Sequence, residues 1–145
     1  MTQLKVGVFG AGMIAQIEHV PNLLHLKEKF AVLRVADPSA MARAFIEERF
    51  GLATCGTLEE LMNEKLDVLL VAAPDFAHYG AIRRGLEAGL HVFTEKPLPS
   101  AMLNSLLSAP IDSRDLNQAA GLIRQLIETN PDTCCLASRR FMVSG

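Results

Sequence analysis

The chain of 145 residues carries a formal net charge of -2, with 50% apolar and 21% charged side chains, the balance of an ordinary globular domain with one core. Near-neutral charge without a long Lys/Arg run excludes the electrostatic footprint expected of a nucleic-acid or anionic-membrane binder. The N-terminal MTQLKVGVFG lacks the features of a signal peptide, and no apolar stretch approaches the ~20 residues of a membrane span, so a soluble, cytoplasmic protein is expected.

LKVGVFG is a short apolar and β-branched run ended by glycine, as suits a strand buried on both faces. From Met13 to about Lys29, Ile14, Ile17, Val20, Leu23, Leu24 and Leu26 recur at helical spacing, and Pro21 is expected to kink or split this helix. FAVLRVAD is the second strand and PSAMARAFIEERFG the second helix, with Pro38 near its start and Gly51 past its end. ATCG reads as a short third strand. In TLEELMNE, Thr57 caps a helix and Glu60 completes a capping box. LDVLLVAAP is a buried strand, DFAHYGAIRRGLEAG a helix closed by Gly89, and LHVFTE the fifth strand. A last amphipathic helix is expected from about Arg114 to Glu128, capped by Asp112 or Ser113, ahead of the apolar run TCCLAS.

This alternation predicts an α/β fold, a doubly wound (Rossmann), mostly parallel sheet with helices on both faces. Such sheets bind ligands beyond the carboxyl ends of their strands, where the winding reverses. The strand ends to inspect are therefore Gly10, Asp37, Pro74 and Glu95 to Pro97. Cys55, Cys134 and Cys135 form an odd set without metal-ligand spacing, and the adjacent pair would need a strained bridge. They read as reduced, buried, small apolar residues, and no metal site is expected.

GAGMIA, Gly10 to Ala15, fits the G-x-G-x-x-G/A pattern of a dinucleotide turn between a strand and a helix. Gly10 permits the tight turn, Gly12 lets backbone approach a pyrophosphate, and Ala15 lets helix and strand pack closely. Met13 and Ile14 stand at the helix start, where free N–H groups face the anion. Asp37 ends the second strand 25 positions after Gly12, where a carboxylate accepts hydrogen bonds from a ribose diol and repels a 2'-phosphate. NAD is thus favoured over NADP, although Arg43 in the next helix is within reach of the site. Asp37 also reads simply as a helix-capping carboxylate, and a glycine turn alone also ends ordinary strands.

With GAGMIA, AAPDFAH and HVFTEKP in this order, the chain resembles the nucleotide-binding half of the Gfo/Idh/MocA oxidoreductase family, which includes glucose-fructose oxidoreductase, inositol 2-dehydrogenase and dihydrodiol dehydrogenase. The resemblance covers roughly Lys5 to Pro97 and resumes at SRRF, Ser138 to Phe141. It implies that Lys96 lies between nicotinamide and substrate as the catalytic residue. Glu95 would orient it or contact the cofactor ribose, Pro97 would fix the turn, and Pro74 and His78 would line the cofactor and substrate mouth. Chemistry agrees: hydride removal from a carbinol carbon requires its hydroxyl proton to leave, and a partly desolvated lysine near a cationic nicotinamide holds its own proton less tightly. Glu95-Lys96 reads otherwise as a surface ion pair beside a strand-ending proline. A lone histidine early in a helix, such as His78, also reads as a cap or a solvent-exposed residue. His19, His25 and His91 carry no comparable positional argument.

The resemblance implies a Rossmann domain over residues 1–138, with 139–145 starting a crossover into a second α/β domain that this chain lacks. The expectation is an incomplete chain, inactive or weakly active alone, whose full-length form is a homo-oligomer acting on a small-molecule substrate. Residues 98–112 depart from the family, which goes almost directly from Glu-Lys-Pro into the next helix. The expected function is hydride transfer between a nicotinamide cofactor and a CH–OH group of a sugar, polyol or related substrate. The alternatives are a non-catalytic dinucleotide-sensing or regulatory domain, and a CoA-binding domain, which has no use for a carboxylate at a free ribose diol.

Overall fold

The computed structural model describes residues 3–95 and the backbone of residues 134–138. Strand β1 (Leu4–Phe9) lies between β2 (Phe30–Ala36) and β4 (Val68–Val71), parallel to both. Outside them, β3 (Thr54–Cys55) joins β2, and β5 (His91–Glu95) joins β4, again in parallel. TCCLAS supplies a further strand, β6 (Cys134–Ser138), antiparallel to β5, which gives the order β3-β2-β1-β4-β5-β6. The fold is the doubly wound, mostly parallel sheet expected from the alternating elements.

Period-two alternation along apolar strands sends successive side chains to opposite faces, and both faces are covered. Val6, Val8, Val35 and Leu70 pack on one face with Ile46 of helix α2 (Ala40–Phe50) and with Ala15 and Val20 of the first helical segment. Leu69, Val71 and Val92 pack on the other with Leu61 of α3 (Leu58–Met62) and Ile82 and Leu86 of α4 (Asp75–Glu87). The approach of α4 is close because Gly85 has no side chain; a Cβ there would stand 2.8 Å from Val92 and 3.0 Å from Leu69.

Local signals set most helix ends. Ser39 caps α2 by accepting from the Ala42 N–H at 3.3 Å, and Gly51 closes it with φ 66°. Thr57 caps α3 through the Glu60 N–H at 3.2 Å. The Glu60 carboxylate reaches the Gly56 N–H at 2.9 Å, so the expected capping box is closed one residue early.

The first helical segment differs from expectation at Pro21. It is already helical at Met13 and Ile14, widens into a π turn over Ala15–His19 and continues as α1 (Val20–His25), with the Val20 N–H donating to the Ala15 carbonyl. Proline brings no N–H for Ile17 and its ring would press on that carbonyl in a regular α-helix. The wider turn absorbs both effects, so the helix shifts register instead of breaking. It ends before Lys29 because residues 26–29 fold into a turn, with the Phe30 N–H returning to the Leu26 carbonyl at 3.1 Å.

Cys55 is a buried free thiol, and its burial pushes the thiol pKa up. The side chains of Cys134 and Cys135, the expected helix near 114–128 and the segment 98–112 lie outside the described residues. Among the described residues no helix is long and apolar enough to cross a membrane.

Leu69 of β4 is fully buried against α4, beside Gly85. Leu69→Ala should therefore cost about 3 kcal/mol, the usual loss for a leucine truncated in a core that cannot collapse. Met41→Ala, at a position 83% exposed, should change stability by less than about 0.5 kcal/mol. Urea unfolding followed by circular dichroism checks both.

Candidate functional site at the carboxyl edge of the sheet

Strand register aligns the candidate residues. Phe9 stands opposite Ala36 and Val71, and Val71 opposite Thr94, so Gly10, Asp37, Ala72 and Glu95 follow along one carboxyl edge. The chain winds outward from β1 to β3 and then returns to β4, placing the switch point between β1 and β4.

Gly10 sits at that point with φ 107°, and a Cβ there would lie 2.5 Å from the Ala72 carbonyl carbon and 2.6 Å from the Ala73 nitrogen. Those are backbone atoms of the neighbouring strand end and cannot step aside. Gly12 is the opposite case: it is exposed, and nothing lies within 4 Å of the position its Cβ would take. Ala15, buried at the helix start, lets the segment seat on the sheet.

Asp37 is tied into this turn. Its Oδ2 accepts from the Ala11 N–H at 2.8 Å and its Oδ1 from the Ser39 N–H at 2.8 Å. Each carboxylate oxygen has room for a second donor. The capping alternative is thus partly realised, since Asp37 holds the approach to α2 while Ser39 is the cap itself. Arg43 donates to the carbonyls of Asp37 (2.7 Å) and Pro38 (3.0 Å), so it lies at this corner of the edge as expected.

Below the edge opens a cleft of about 260 Å³ lined by Ile14, Ala72, Ala73, Asp75, His78 and Glu95. His78 is 1% exposed, which rules out the solvent reading of this residue. Its Nε2 lies 2.5 Å from the Ala73 carbonyl oxygen. A carbonyl only accepts, so Nε2 is the donor in this contact. Nδ1 is buried and has no partner among the described residues. Pro74 stands exposed at the N-cap of α4, and neither it nor Met13, which is 75% exposed, is among the residues lining the cleft.

One residue of the edge had no signal in the sequence. His19, the last residue of the π turn, places Nε2 2.5 Å from Glu95 Oε1, with the two side chains 11% and 13% exposed. Its ring meets Phe93 edge-on, with centroids 5.9 Å apart. The partners are 76 positions apart, and neither helical nor strand periodicity relates them. Lys96 and Pro97, the other two residues of the expected strand-end motif, lie outside the described residues.

Residues 4–112 match the family model of the GFO_IDH_MocA oxidoreductases, described as an NAD-binding Rossmann fold. The chain belongs to the Gfo/Idh/MocA oxidoreductase family. Among curated Gfo/Idh/MocA relatives, inositol 2-dehydrogenase 2 of Paenarthrobacter aurescens is 31% identical over 118 residues, covering 81% of this chain and 35% of that protein. D-glucoside 3-dehydrogenase of Escherichia coli is 30% identical over 96 residues, 65% of this chain and 27% of that protein. The chain thus spans about a third or less of these relatives' length. The WlbA dehydrogenase of Chromobacterium violaceum, solved with NADH and UDP-GlcNAcA, superposes with a TM-score of 0.62 at 26% identity, over 66% of this chain and 28% of that one. Biliverdin reductase of Synechocystis, solved with biliverdin and NADP+, gives 0.65 at 26% identity over 73% and 34%. One of these two structural neighbours was thus solved with NADH and the other with NADP+.

Since backbone faces the missing Cβ of Gly10, Gly10→Ala should destabilise the fold by about 3 kcal/mol or more, combining left-handed strain with a clash. A lowered thermal midpoint in calorimetry is the expected observation.

Proposed function

We propose that this chain is the cofactor-binding part of a dehydrogenase or reductase that transfers hydride between a nicotinamide dinucleotide, NAD in preference to NADP, and a CH–OH group of a sugar, polyol or related small molecule. The observation that carries this reading is the Asp37 carboxylate, held against the glycine turn by the Ala11 N–H at the edge that also bears Gly12 and Glu95.

The residues present fit such a cofactor. Open space beside Gly12 admits a pyrophosphate to the helix start, whose first N–H groups lack intrahelical acceptors and favour an anion. Asp37 retains acceptor capacity for a ribose diol, and its charge disfavours a 2'-phosphate. His78 lines the cleft, and its buried Nδ1 has no partner among the described residues. A bound nicotinamide supplies the hydride acceptor or donor. The chain's own part is to orient that ring in the cleft and to manage the substrate's hydroxyl proton, a role we assign to Lys96, with Pro97 fixing the turn behind it. We further propose that residues 139–145 lead from the Rossmann domain, residues 1–138, towards a substrate-binding domain of a homo-oligomeric full-length enzyme.

Three outcomes test this reading. Following nicotinamide fluorescence, NADH should bind more tightly than NADPH, and CoA should not compete; tighter binding of CoA than of either dinucleotide would overturn the assignment. Gly12→Ala should leave the thermal midpoint unchanged, because the site is open, yet weaken NADH about tenfold or more by filling the anion's space. In the full-length enzyme Lys96→Ala should lower turnover about a hundredfold or more at unchanged stability, the scale of a lost proton-transfer group. Near-normal turnover would instead favour a non-catalytic, dinucleotide-sensing role.

A further inference from the structure

We infer that His19 is a positioning residue for this site, acting through Glu95, and that the π turn is the device that brings it there. The inference rests on the proposed dinucleotide cleft.

Glu95 ends β5 with its carboxylate largely shielded from water, and a carboxylate so placed needs a donor. Among the described residues its partner is His19 Nε2, 2.5 Å from Oε1. Glu95 also lines the cleft, so the His19 contact fixes a carboxylate at the cleft wall whose further acceptor capacity is available to a ligand hydroxyl. The Phe93 ring packs edge-on against the imidazole, which orients the donor that holds Glu95.

The helix supplies the second argument. A π turn places an extra residue in one hydrogen-bonded ring and rotates the next helical turn by about 100° relative to an uninterrupted helix. Here the rotation leaves Val20 fully buried in the core and sets His19 against the end of β5. Pro21 makes the irregularity cheaper by lacking the N–H that a regular turn would use. The segment that begins at the glycine turn is thereby latched to the strand end that precedes Lys96, across the width of the cleft.

Two variants separate positioning from mere packing. His19→Phe keeps a ring for the Phe93 contact and removes the donor; His19→Gln loses the ring and places an amide N–H at a reach close to that of Nε2. In NADH titrations of the 145-residue chain, carried out at a temperature where each variant is fully folded, His19→Phe should bind about tenfold more weakly, with a thermal midpoint lowered by the loss of the donor to Glu95. His19→Gln should return to within about threefold of the parent chain, and His19→Phe should have no further effect in a Glu95→Ala background. Unchanged affinity in His19→Phe, or equal loss in both variants, would overturn the inference while leaving the proposed function standing. A parent chain that bound no nicotinamide dinucleotide would remove the functional reading and this inference with it.

Discussion

Everything at the site depends on how closely β1 and β4 approach at their carboxyl ends. Gly10 lies against the peptide joining Ala72 to Ala73, with no room for a single added carbon. The approach has two consequences for the backbone. The chain must leave β1 through a positive φ, open to glycine at little cost, and it must turn at once into a helix whose first residues face the strand ends. The turn therefore arises from packing of the sheet, and the anion-binding capacity of the helix start is its result.

Hydrogen bonds spread that constraint sideways. The Ala11 N–H is taken by Asp37 at the end of β2, and the Ala11 carbonyl by the Gln16 side chain at 2.8 Å. Asp37 passes the constraint on through Ser39 to the start of α2. On the other side the helical segment reaches β5 through His19 and Glu95. A segment of little more than two turns thus connects the ends of β1, β2 and β5. Its π turn is what allows one face to serve the core while one side chain reaches β5.

Legibility in the sequence depends on the range of the physics involved. Glycine spacing at residues 10–12, apolar runs such as Val68–Val71 and caps such as Ser39 and Thr57 act over a few residues, so pattern alone placed them. The His19–Glu95 pair depends on two elements packing together, and a helix register that Pro21 disturbs; no local pattern encodes it. His78 was ambiguous for the same reason, because burial of a helix face depends on what covers it. The apolar run at 134–138 could be seen as apolar, but nothing within its five residues encodes an antiparallel direction. The displaced capping at Gly56 shows a smaller effect of this kind, since a long Glu side chain reaches more than one N–H.

Charge placement along the edge gives the arrangement its logic. An anion bound at the glycine turn, as proposed, would lie between β1 and β4, while Asp37 and Glu95 close the flanking strands β2 and β5. With strands about 4.8 Å apart, the two acidic strand ends are roughly 14 Å from each other and each about 7 Å from the switch point. At that range their repulsion on a phosphate is already reduced by water and by a Debye length of about 8 Å. Pairing reduces it further, because Asp37 is bonded to two backbone N–H groups and Glu95 to an imidazole. Two carboxylates can therefore flank the glycine turn without emptying the middle of the edge of anions, and the proposed cofactor, with phosphate between two polyhydroxyl ends, matches that order of flanking acceptors around a central helix start.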